Sequence, residues 1–270
     1  MKGTPRLDKG LEDVTNCALT KESAHMNAEE ALAEIILEHV RPRLVEPHIY
    51  SVYSQVENVG SYDRFGSIYD VVACNRLYNR LLWGYSISDF HSLCHDALRS
   101  VSEGWVLDAG CGSLAFTARA YVRYCRRPVV LLDQSMKLLR MAKVRLTNLS
   151  GGVPPNMVFV HGDALDLPFK PKSFSSIISM NLLHVLDEVR ELLVGLKRVM
   201  TDDATASFST LIRCGRLSDN YLNMLGRAGA VVPRSADQLL AIFDEVSMPV
   251  EHRASRNMAV ICHKQVSPEG

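Results

Sequence analysis

The residues that could do chemistry in this chain begin at a turn. Residues 105–115 read WVLDAGCGSLA, an apolar run carrying an aspartate at 108 and glycines at 110 and 112. Glycines there let a ligand approach the backbone closely, and a helix beginning just beyond offers free N–H groups. Asp133 follows 21 residues after Gly112, and a carboxylate so placed can accept both hydroxyls of a ribose. HGDALDLPF (161–169) adds Asp163, and SMNLLHVL (179–186) adds Asn181 and His184. Together they outline a cleft for a ribose-bearing ligand, with His184 as the candidate base for any proton that must be removed.

Such groups meet only if each stands at the end of a strand, because ligands of open α/β sheets bind beyond the carboxyl ends of the strands. After Gly104 short β-branched runs alternate with helical patterns, the signature of βαβ units and a parallel sheet. Strands are expected at Trp105–Asp108, Val129–Asp133, Met157–His161, Ser176–Met180 and Ala204–Ile212. Helices fit Leu114–Tyr124, Ser135–Leu149, Leu186–Met200 and 235–246. Val250–Arg256 and Ala259–Lys264 are separated by so short a turn that they must be antiparallel neighbours. Upstream, Asn27 can cap a helix with Glu30 returning the bond, and Ala31, Leu32, Ile35, Ile36 and Val40 recur at helical spacing before Pro42. The aromatic stretch 50–100 reads as mostly helical, with Phe90, Leu93, Ala97, Leu98 and Val101 on one face. The expected architecture is a flexible leader (1–26), an N-terminal helical cap region (27–103) and an α/β domain (104–265). That domain is a Rossmann-like, seven-stranded, mostly parallel sheet with an antiparallel terminal strand pair and helices on both faces. Within it, 213–234 forms a substrate-lid insertion.

The totals agree with a globular enzyme-sized chain. It has 270 residues, 47% of them hydrophobic, and Lys+Arg and Asp+Glu balance at 30 each. That balance advertises no nucleic-acid partner. No apolar run approaches the roughly 18 residues of a membrane span, and the first residues lack the apolar core of a signal peptide. Seven cysteines without a C-x-x-C pair suit reduced thiols. These features predict a cytoplasmic protein.

From about 104 to 265 the chain resembles the class I S-adenosylmethionine-dependent methyltransferases, in texture the small-molecule branch that includes the ubiquinone/menaquinone C-methyltransferases. VLDAGCGS is similar to that family's glycine-rich first motif, LLDQSMKLLRMAK to its acidic second motif, HGDALDLPF to its third, and SFSSIISMNLLHVLDEVRELLVGLKRVM to its fourth strand and helix. YDRFGSIYDVVACNRL resembles its tyrosine-bearing covering helix. The resemblance implies S-adenosyl-L-methionine as cofactor, S-adenosyl-L-homocysteine as product and a small-molecule acceptor. It implies that Ala109 and the Gly110–Gly112 turn run along the methionine portion and that Asp108 organises the loop near the cofactor's amino group. Asp133 would hold the ribose, Gln134 and Met136 would flank the adenine, and Gly162, Asp163 and Ala164 would meet its edge. Met180 or Asn181 would present backbone to the methionine end, and Tyr69 would cover the site. Two positions depart from the family: Leu114 replaces its third glycine, and Phe174-Ser175 replaces Phe-Asp.

A dinucleotide site also predicts an acidic residue about 20 positions after its glycines. The late position of the motif, GDALDLPF and the antiparallel finish weigh against that reading. Two other functions share the fold: a cofactor-binding protein without catalysis, and an RNA or protein methyltransferase. Against the latter stand the neutral charge and SMNL in place of an Asn-Pro-Pro-Tyr-type tetrapeptide. Tyr62, Tyr69 and Tyr85 could line the acceptor pocket. The aromatic and aliphatic residues of 45–85 and 213–234 favour an apolar or aromatic acceptor. His161 reads as structural, His91, Cys94 and His95 lack the further ligand that a metal site needs, and Arg119, Arg123, Arg126 and Arg127 read as a solvated face.

Overall fold

The computed structural model describes residues 27–53, 87–99 and 103–264. The Asn27 side chain accepts from the Glu29 N–H and donates to Glu30, opening helix α1 (Ala28–Ile35). The helix stops five residues short of Val40 because Ile36 turns extended and bridges to Phe169. Arg43–Glu46 (β1) and Ile49–Ser51 (β2) then form an antiparallel hairpin, which corrects the helical reading of this region. Pro47 followed by His48 at φ 70° has the pattern of a type II turn.

The remaining described elements are α2 (Ile87–Arg99), β3 (Trp105–Ala109), α3 (Ala118–Tyr124), β4 (Val129–Asp133), α4 (Met136–Ser150), β5 (Met157–His161), β6 (Phe174–Met180), α5 (Val189–Val199), β7 (Met200–Leu211), α6 (Ser218–Arg227), α7 (Ala236–Glu245), β8 (Glu251–Ser255) and β9 (Met258–Lys264). The strands form one sheet in the order β1-β2-β5-β4-β3-β6-β7-β9-β8. The seven expected strands are all present, and the hairpin extends the sheet to nine by pairing β2 parallel to β5. The β7–β9 and β9–β8 pairs are antiparallel.

All residues of β3, β4 and β5 are buried, as expected of parallel strands covered on both faces. Successive side chains face opposite ways, and two cores result. Leu107, Val130, Leu132 and Val160 pack with α1, α5 and α7. Val106, Val129, Leu131 and Phe159 pack with α2, α3 and α4. The chain leaves β3 for β4 on one side and returns to β6 on the other, so a switch-point crevice opens beyond the carboxyl ends of these strands.

Candidate functional site

The glycine turn is held from two sides. The Gly110 N–H donates to the Leu132 carbonyl at 2.9 Å. Its φ is 72°, and a Cβ there would lie 3.0 Å from the Leu182 side chain, so only glycine fits without strain. The Gly112 N–H donates to Asp133 Oδ2 at 2.8 Å, and Asp133 Oδ1 accepts from the Ser135 N–H at 2.8 Å. Asp133 therefore ties the end of β4 both to the turn and to the start of α4, which Ser135 caps through the Leu138 N–H. A Cβ on Gly112 would meet nothing within 4 Å, which marks open space beside the turn. Leu114, in place of the family's third glycine, has φ 56° and is 2% exposed. The residue thus keeps the left-handed backbone that favours glycine while burying a large side chain.

Asp108 lies beneath this turn. Tyr121 donates its hydroxyl to Oδ2 at 2.8 Å, whereas Oδ1 is buried with no hydrogen-bond partner among the described residues. Burial pushes this carboxyl up to about 7; the Tyr121 bond opposes that shift and the Asp133 charge adds to it. At the end of β5, His161 lies 3.1 Å from both Ser51 Oγ and the Gln134 carbonyl. That imidazole pins the hairpin and the Gln134 loop together. Asp163 Oδ1 accepts from the Leu165 N–H at 2.9 Å. At the end of β6, Asn181 has φ 62°, donates its N–H to the Ser209 carbonyl at 2.8 Å, and buries Oδ1 without a partner among the described residues. The Ser209 hydroxyl also reaches Met180 Sδ at 3.4 Å.

Asp108, Gly110, Gly112, Asp133, Gln134, Asp163, Ala164, Met180 and Asn181 line one cleft. Ala109, Met136 and Gly162 lie behind it: the Ala109 carbonyl accepts from Ser179, Met136 is 6% exposed, and the Gly162 N–H donates to the Asp133 carbonyl. Tyr62, Tyr69 and Tyr85 lie outside the described residues. His184 is close in sequence but does not line the cleft. Its Nδ1 accepts from the Leu211 N–H and faces Thr210 Oγ1, both at 3.2 Å. Burial, with the Arg234 charge, pushes its imidazole down to about 4. The expected general base is thus a neutral group packed against β7.

Two features escape the sequence. Tyr121 faces Asp108 from α3, but in sequence it is only one more aromatic on a buried helix face. The apolar wall of the cleft, Phe116, Leu182, Val185 and Leu186, comes from loops without periodicity. Phe116 stacks on Phe90 of α2 with ring centroids 4.8 Å apart. Both Phe116 and Met180 also touch the cluster that buries Leu222 of α6. Segment 213–234 therefore packs against one edge of the cleft. His91 and His95 both meet the Tyr124 ring edgewise. Among the described residues no group of His, Cys, Asp and Glu could hold a metal ion, and no helix is long and apolar enough to cross a membrane.

Residues 107–208 match a family model described as a methyltransferase domain. Among solved structures, the YcgJ protein of Bacillus subtilis superposes with a TM-score of 0.53 at 23% identity, covering 62% of this chain and 71% of that one. Geranyl diphosphate C-methyltransferase of Streptomyces coelicolor A3(2), solved with Mg2+, geranyl-S-thiolodiphosphate and S-adenosyl-L-homocysteine, superposes with a TM-score of 0.54 at 13% identity, covering 66% of this chain and 76% of that one. A search of curated protein sequences finds no match.

Proposed function

We propose that this chain, whose fold is that of the class I methyltransferases, transfers a methyl group from S-adenosyl-L-methionine to a small, apolar or aromatic acceptor. The observation that carries the reading is the buried, unpartnered Asp108 Oδ1 in a cleft that also holds the open side of Gly112 and the Asp133 carboxylate. A buried acceptor without a donor is costly, and a ligand's ammonium group would satisfy it. Asn181 Oδ1, at the end of the neighbouring strand β6, is a second such acceptor. The residues therefore fit the cofactor.

In this reading Asp108 accepts from the amino group and the Gly110–Gly112 backbone follows the methionine portion. A carboxylate has about four lone-pair sites, so Asp133 can keep its two backbone bonds and still accept ribose hydroxyls. Gln134 flanks the adenine, supported from behind by Met136, while Asp163 and the Ala164 N–H meet its edge. When bound, the sulfonium supplies an activated methyl group for in-line displacement, so the chain's task is to position, orient and exclude water. Phe116, Leu182, Val185 and Leu186 form the apolar side of the cleft, which supports an apolar acceptor. Among the described lining residues there is no histidine or lysine. A transfer that takes no proton through His184 is therefore the simplest course.

Calorimetric titration with S-adenosylmethionine and, separately, with NAD tests the cofactor. Micromolar binding of the first alone is expected; binding of NAD alone would overturn the reading. Transfer of a labelled methyl group to a panel of apolar metabolites, with RNA as the competing acceptor, then tests the reaction.

A further inference from the structure

A second groove runs between α3 and α4 and touches the cofactor cleft only at Ala115 and Phe116. Its character differs from the rest of the chain. Between Ser113 and Ser150 stand eight lysines and arginines, of which Arg127 is buried, and one acidic residue, Asp133, in a chain whose charges balance overall. Asp133 is buried, so it adds no negative charge to the surface of this face. Arg119, Arg123 and Arg140 are exposed on the groove's flanks. Val144 and Leu149 stand among them, 58% and 39% exposed. No carboxylate lines the groove among the described residues. Glu46, outside it, meets Arg140 at 2.6 Å and Lys143 at 3.9 Å, and Arg145 bonds to Ser113. Among the described residues no ion pair engages Arg119, Arg123 or Arg126.

We infer that this face docks on an anionic lipid bilayer, with the arginines at lipid phosphates and carboxylates and with Val144 and Leu149 between the headgroups. Cations interleaved with exposed aliphatics, on helices that carry no acid, are what an anionic interface rewards. A nucleic-acid backbone would reward the cations but not the aliphatics. At about 0.1–0.15 M salt the attraction is confined to a Debye length of about 8–10 Å, so it favours close apposition to a surface. This inference does not depend on the methyl-transfer reading.

The test is co-sedimentation of the full chain with vesicles of phosphatidylcholine alone, or of phosphatidylcholine with phosphatidylserine, at low and high salt. Binding to the anionic vesicles only, released by salt, is expected. Arg119→Glu with Arg123→Glu should weaken that partitioning by at least about tenfold, and Val144→Ser by several fold. Arg253→Glu, on the edge strand β8, should leave it unchanged. Circular dichroism confirms that each variant is folded, and Arg119→Ser with Arg123→Ser replaces the reversal should it misfold. Equal binding to neutral vesicles, no binding to anionic ones, or wild-type binding by the double variant would overturn the inference. So would binding to soluble polyglutamate in the absence of any vesicle binding, which would point to an acidic protein partner.

Discussion

Two buried ionisable groups, Asp108 in the cleft and His184 packed against β7, oppose one another in acid. Asp108 keeps its proton in the fold up to about pH 7, against an ordinary value of 3.8. The unfolded chain therefore releases that proton first, and stability falls as pH rises from about 4 to about 7. His184 behaves in the opposite way. Its folded value near 4 lies below the ordinary 6.5, so its contribution is present above about pH 6.5 and is lost as pH falls toward 4. The two effects overlap, and single variants separate them. In thermal unfolding across pH, Asp108→Asn should remove the loss on the neutral side and His184→Asn the loss on the acid side. Asp108 carries a binding signature as well. An ammonium group beside Oδ1 favours the carboxylate, so cofactor binding below pH 7 should release a proton, visible as a buffer-dependent calorimetric heat that Asp108→Asn abolishes. His184→Asn should retain turnover within about tenfold, whereas a loss of a hundredfold or more would restore the general-base role. His184 was legible as a polar residue after a strand. Its orientation was not, because that depends on the Leu211 N–H 27 residues away.

At the scale of elements, the loop after β3 carries the argument. The apolar pattern runs on from Leu114, but α3 begins only at Ala118, because residues 110–114 turn through three positive φ angles that no helix contains. Leu114→Gly would relieve a left-handed leucine, worth about 1–2 kcal/mol, yet it would delete a buried side chain, worth about 2–5 kcal/mol. Net destabilisation of about 1–3 kcal/mol is expected in denaturant unfolding. Asp133→Ala removes two backbone clamps and, in the proposed reading, the ribose acceptor, so cofactor affinity should fall by more than about tenfold. Unchanged affinity in a folded variant would contradict the ribose assignment. Strands β3, β4 and β5 were readable because parallel strands covered on both faces write their burial as contiguous apolar runs, and β8 and β9 because the turn between them is too short for any but an antiparallel pair. The β1–β2 hairpin was not readable. Its strands of four and three residues are too short for period-two alternation, and β2 becomes a strand by pairing with Phe159–His161.

For the molecule as a whole, Arg127 shows how distant parts are joined. It is buried, and burial holds its guanidinium below the usual range. It donates to the carbonyls of Leu98 and Glu103 and to the hydroxyls of Ser175 and Ser176. It thus links α2, the entry to β3, and β6 without any carboxylate. Ser175, where the resembling family has aspartate, is one of its acceptors. Arg127→Ala should cost about 3 kcal/mol in denaturant unfolding, since several buried acceptors lose their donor at once. By itself the sequence determined the order of strands and helices, the antiparallel finish and the residue types at four strand ends, because local periodicity and turn chemistry record burial along the chain. Only the tertiary structure decided which of those residues share a cleft, that His184 bonds to β7 and does not line it, that Asp108 and Asn181 carry oxygens unpartnered among the described residues, and that the arginines of α3 and α4 share one face. Each of these depends on contacts between residues far apart in the chain, and neither spacing nor composition carries that information.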